Sequence, residues 1–204
     1  LLVGRGAKWD VVVRFALPGA AAAILGAALL NAFAELPNLY TYALGGQNHN
    51  ISLLKVIIAA IIIFLAIFDL VPAWSGFAFE PRYLPFGGML SGFLGGLSGQ
   101  QGLLRAAFLI KLGLSKEAFI GTSVMTAVIV DIARLMVYGI SFYSSRFQLI
   151  QGEMLGLVVA GSLAAFAGAW IGARFMHKVT LRGVQVLVSV MLIAIGLALG
   201  IGLI

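Results

Sequence analysis

The sequence predicts an all-α integral membrane protein, a multi-spanning bundle of membrane-embedded helices, and three observations carry that expectation. First, 62% of its 204 residues are hydrophobic and only 10% charged, whereas a soluble domain carries roughly 25% charged residues. Second, apolar runs of spanning length recur along the chain, leaving no polar stretch long enough for a soluble domain. Third, the Lys and Arg residues behind the net charge of +6 sit in short segments between those runs. That placement reads as a topological signal at one membrane face and not as a nucleic-acid-binding patch.

Taken in order, five runs of about 20 residues read as spanning helices: 11–33, 51–71, 119–138, 154–175 and 184–204. A sixth stretch, 84–112, is glycine-rich, is interrupted by Gly99-Gln100-Gln101-Gly102 and carries Arg105 in its interior. Backbone groups freed by such a break cost several kcal/mol each in hydrocarbon, so an unbroken lipid-facing helix is excluded. The expectation is a broken, re-entrant pair of half-helices meeting at the two glutamines. Residues 18–33 match 160–175 without gaps, setting Gly19, Ala23, Gly26 and Phe33 against Gly161, Ala165, Gly168 and Phe175. An internal repeat of this kind marks secondary transporters. The organisation expected is the remainder of a first repeat in 1–75 and a complete second repeat in 84–204. The chain opens Leu1-Leu2-Val3 without methionine, so this reading places the true start, and the first repeat's own broken stretch, upstream.

Counting Lys and Arg by side favours a re-entrant 84–112. Arg5, Lys8, Arg14, Arg82, Lys111, Lys116, Arg174, Lys178 and Arg182 then share one face, with Lys55 and Arg146 on the other, and the repeats become inverted. Absence of cysteine excludes disulfides, thiol chemistry and thiolate metal sites. His49, in a polar loop, and His177, at a helix end, have no second ligand at metal-binding spacing, so neither metal nor cofactor is expected.

Candidate site residues cluster around the break. A half-helix starting near Leu103 aims free N–H groups and its positive dipole end at the interruption. Arg105 in its first turn adds a fixed charge, and Ser98, Gln100 and Gln101 add donors suited to a small anion near mid-membrane. The alternative is that the glutamines only satisfy broken backbone while Arg105 snorkels or pairs with Asp131. On the next helix Ser123, Ala127, Asp131, Arg134 and Tyr138 share one face. Asp131 and Arg134, three residues apart, read either as a structural ion pair or as a coupling group. Thr122 and Ser123 read as hydroxyl donors or as a helix cap. The glycine ladders Gly88/Gly92/Gly96 and Gly87/Ser91/Gly95/Gly99 favour close helix packing in lipid.

The glycine-ladder stretch, the segment Ala118-Phe119-Ile120-Gly121-Thr122-Ser123 and the two-fold repeat together resemble the sulfite exporter TauE/SafE family over essentially the whole chain. That resemblance implies a multi-pass protein of a bacterial-type inner membrane that exports sulfite, an organosulfonate or a related small anion. Its partners would be that substrate and the lipid bilayer, and association with further copies of itself is compatible with it. One departure stands out: the family commonly follows its glycine cluster with a Pro-Leu pair, where this chain has Leu104-Arg105-Ala106-Ala107. Two other readings compete with transport. Gly96-Leu97-Ser98-Gly99 matches the nucleophile motif of rhomboid-type intramembrane serine proteases, but that chemistry needs a base within reach of the hydroxyl and no histidine is well placed. A passive channel or structural subunit is the third, although a channel wants rings of charge along a continuous pore.

Overall fold

The computed structural model describes residues 6–34, 36–71, 79–145, 153–175 and 181–204; Arg5, Arg146, His177 and Lys178 lie outside the described residues. Helix α1 (Trp9–Ala34) leads into a β-hairpin, β1 (Asn38–Leu44) and β2 (Gln47–Ser52), and then α2 (Leu53–Leu70). The glycine-rich stretch forms α3 (Leu84–Ser98) and α4 (Gly102–Leu109), followed by α5 (Lys116–Ser145), α6 (Glu153–Phe175) and α7 (Leu181–Gly200). Three of these are long and apolar enough to cross a membrane, Trp9–Ala34, Leu53–Leu70 and Lys116–Ile140. Within the described residues α6 and α7 contribute shorter apolar stretches, Gly156–Gly172 and Gln185–Gly200, against the five full spans expected.

The hairpin departs from a purely α expectation. Gly45 and Gly46 take φ of +62° and +82°, the paired left-handed conformations of a two-residue turn whose twist matches the strands. β1 and β2 pair antiparallel from Leu44↔Gln47 to Asn38↔Ser52. His49, expected in a loop, therefore lies on a strand, stacked on Tyr42 at 5.3 Å, with Nδ1 3.3 Å from the Gly202 carbonyl. Ser52 then caps α2 by accepting from the Lys55 N–H at 3.2 Å.

The glycine ladder decides how α3 packs. A methyl at Gly88, Gly92 or Gly96 would run into the carbonyl oxygen of Phe15, Gly19 or Ala23 respectively. The contacts climb both helices together, so α1 and α3 run parallel with their backbones in direct contact, which only small residues permit. The adjoining face of α3, one residue round the helix, holds α4. Gly87 meets the Phe108 ring, and the Ser91 hydroxyl donates to the Gln101 carbonyl at 3.1 Å. Since Gly87 opens α3 and Phe108 closes α4, the half-helices fold back on each other as a hairpin. Phe79 closes its base, its ring stacked on Phe108 at 4.3 Å and its N–H on the Ala107 carbonyl. Val11, Phe15, Leu84, Phe108 and Leu109 form the hydrophobic cluster there.

Helix α5 lies along α1, with the Lys8 N–H donating to the Thr122 hydroxyl at 2.9 Å and Val130 against Gly19. Its cap is Ser115, whose hydroxyl accepts from the Ala118 N–H at 3.2 Å. The Thr122-Ser123 pair expected as a possible cap lies more than one turn inside the helix. α2 pairs antiparallel with α7, where Gly196 and Gly200 face Ile63 and Ala59 and Ser189 faces Asp69. Along α6 the residues from Gly156 to Gly172 are exposed. Gly161 and Gly168 meet open space where their sequence counterparts Gly19 and Gly26 meet α3.

Candidate functional site

The site grows out of the break. Helix α3 stops at Gly99, whose φ of +79° is the left-handed conformation that ends a helix. Any side chain there would also press on Arg134 Nη1, at 2.9 Å from a first carbon. Gln101 precedes α4 and makes no side-chain cap, so the first N–H groups of α4 are left to the site. Its own amide points instead at α5, donating from Nε2 to Asp131 Oδ1 at 3.0 Å.

From α5, Ser123, Asp131, Arg134 and Tyr138 all face the α3–α4 hairpin. Arg134 Nε lies 3.0 Å from Asp131 Oδ1, and its Nη1 donates to the Gly95 carbonyl at 3.2 Å. The Tyr138 hydroxyl donates to the Gly96 carbonyl. Both donors serve carbonyls at the C-terminal end of α3, and the Gly95 carbonyl also accepts from the Gly99 N–H at 2.9 Å. Arg105 Nε donates to the Ser123 hydroxyl at 2.9 Å, while its Nη1 is buried without a hydrogen-bond partner. The pairing of Arg105 with Asp131 is not formed: Asp131 is taken by Arg134 and Gln101. Two guanidiniums and one carboxylate leave the site one positive charge in excess, beside a helix N-terminus. Asp131 lies fifteen residues into α5, about 22 Å along it and at the middle of that 30-residue helix.

Other candidates fall elsewhere. The Ser98 hydroxyl turns back onto the Leu94 carbonyl at 2.9 Å and receives the Gln100 N–H, so it finishes α3. Thr122 is fully buried against α1. Gln100 faces away from α5, into a cavity of about 390 Å³ walled by α2, α4 and α7. The polar side chains of that cavity include Asp69 and Gln185, neither of which was singled out from the sequence. Among the described residues the protease arrangement is not assembled, because Ser98 is spent on helix backbone and His49 is held at the β-hairpin; His177 lies outside them.

Comparison with known proteins decides the family. The model of the sulfite exporter TauE/SafE family matches residues 3–199. The chain belongs to this family. Members of the TauE/SafE family are membrane transporters and not enzymes, which places a small anion and a lipid environment around this chain and removes the protease reading. No curated protein and no solved structure matches it.

Proposed function

We propose that this chain exports a small sulfur oxyanion, sulfite or an organosulfonate, across the inner cell membrane as a multi-pass permease working by alternating access. The observation that carries the reading is Arg105, a guanidinium near mid-span with one side-chain hydrogen bond and a buried, partnerless Nη1. A charge so placed costs several kcal/mol unless an anion completes it, and a planar fork matches an oxyanion edge. Gln101, Ser123 and the first N–H groups of α4 supply further donors around the same point, with Gln100, Ser98 and Thr122 in the surrounding shell. Asp131 and Arg134 hold the hairpin against α5 and set the depth of the site. In this reading residues 84–112 enter and return on one membrane face, and the repeats 1–75 and 84–204 move against each other about the break.

Sulfite flux in vesicles tests it. Arg105→Gln keeps hydrogen-bonding capacity and removes the charge, so flux falls about ten- to a hundredfold while the melting temperature holds. Arg105→Lys recovers part of the flux, since an ammonium lacks the bidentate fork. A folded Arg105→Gln protein with parental flux would make Arg105 a structural residue and sink the assignment.

A further inference from the structure

The cavity on the far side of α4 contains a carboxylate for which the anion site has no use. Asp69 sits in the last turn of α2 and forms part of the wall with Leu65, Ala66 and Phe68. The α4 wall runs from Gln100 and Gly102 at its start to Ala107 and Ile110 at its end, and the third wall includes Gln185 on α7. Helix C-terminal turns ordinarily favour cations over carboxylates, so Asp69 is poorly placed as a helix-stabilising residue. Its side-chain partner is a hydroxyl, Ser189 Oγ, donating to Oδ2 at 3.5 Å. Arg182, the nearby cation on α7, directs its guanidinium to the backbone carbonyls of Asp69 and Leu70, not to the carboxylate.

The cavity and the anion site meet at the start of α4. Gly102 forms part of the cavity wall, and a methyl on Gly102 would come within 4.0 Å of Arg105 Nη2. An anion at this helix start is therefore held beside Arg105 and borders the same cavity that contains Asp69. Two negative charges bordering one cavity between helices repel each other more than they would in bulk water.

We propose that Asp69 is the proton-coupling residue of transport: it takes a proton from cavity water when the anion occupies the start of α4 and returns it to water when the anion leaves. The step makes one carboxyl O–H bond and breaks one hydronium O–H bond, so proton and anion cross together. No other titratable side chain among the described residues lines the cavity. On the elements packed against α2, Arg182 is engaged as above, α3 has no titratable residue, and Lys55 and His49 lie at the opposite end of α2. Asp10 and Arg14 of α1 are exposed and outside the cavity wall.

The inference rests on the anion-exporter reading, and the test separates the two. Proteoliposomes loaded with labelled sulfite and a pH-sensitive dye report sulfite-for-sulfite exchange and sulfite-driven proton movement, with Arg105→Gln liposomes as the blank for passive leak. The parent shows both, protons leaving with sulfite. Asp69→Asn keeps exchange and loses proton movement by about tenfold or more, the size of an ordinary coupling between sites. Asp69→Glu restores proton movement. Proton movement at the parental ratio in Asp69→Asn overturns the proposal, as does sodium movement in place of protons in the parent. Loss of exchange in both Asp69 variants at unchanged melting temperature overturns it too, because Asp69 would then hold substrate and not a proton. Absence of exchange in the parent overturns the exporter reading itself.

Discussion

Asp131 is held from two directions, by a hydrogen bond from Gln101 at the break and by an ion pair with Arg134 on its own helix. Asp131→Asn keeps an acceptor for Gln101 but leaves Arg134 without its counter-charge, so the variant should lose about 2 kcal/mol in thermal unfolding in detergent. Adding Arg134→Gln should return part of that loss, because the orphaned charge goes with it; a double variant no more stable than the single one would show that Arg134 is held by the Gly95 carbonyl alone. At this scale the sequence was informative about which residues are unusual and poor at saying what each touches. Glutamines, arginines and an aspartate inside apolar runs are conspicuous because lipid offers them no partner. Rotation about the helix axis is not written in composition, however. Thr122 and Ser123 are neighbours in sequence, yet one faces α1 and the other Arg105. Asp69 escaped notice because a charge near the end of a spanning run looks like an interface residue. Only the approach of α4 and α7 gives it a cavity.

Among the elements, the α3–α4 hairpin is the one whose break could be read in advance, from Gly99-Gln100-Gln101-Gly102. The β-hairpin was missed although Gly45-Gly46 is a turn signal, because its strands are short and amid spanning runs a polar connection reads as loop. The α1–α3 contact makes a sharp prediction. Gly92→Ala places a methyl on the Gly19 carbonyl, and overpacking of that kind costs about 1–3 kcal/mol. Gly161→Ala on α6 meets nothing within 4 Å and should leave the melting temperature unchanged within experimental scatter. Equal losses in both variants would mean that α6 is as tightly covered as α1.

For the whole molecule the helix directions sort the charges. Lys8, Arg82, Lys111, Lys116 and Arg182 gather at the end where α3 begins and α4 returns, while Lys55 and the β-hairpin occupy the other. Single cysteines near Arg82 and Lys116 should therefore react with an impermeant thiol reagent from one side of the membrane, and a cysteine near Lys55 from the other. The bias of basic residues predicts that the first side is the cytoplasm. Labelling of the Arg82 and Lys116 positions from opposite sides would mean that 84–112 crosses the membrane fully. The two-fold match of 18–33 with 160–175 was visible in sequence, but the surroundings of its halves were not, since α1 is covered by α3 while α6 is exposed.

The contact between α1 and α3 also has a genetic consequence. Most packing defects can be repaired from across the interface, by trimming the side chain that the new atom strikes. Here the struck atoms are the carbonyl oxygens of Phe15, Gly19 and Ala23, which every amino acid carries. A suppressor selection starting from Gly92→Ala should thus return true revertants and changes that shift a whole helix, and no compensating substitution at position 19. The ladder is a stretch of sequence whose errors cannot be corrected by its neighbour.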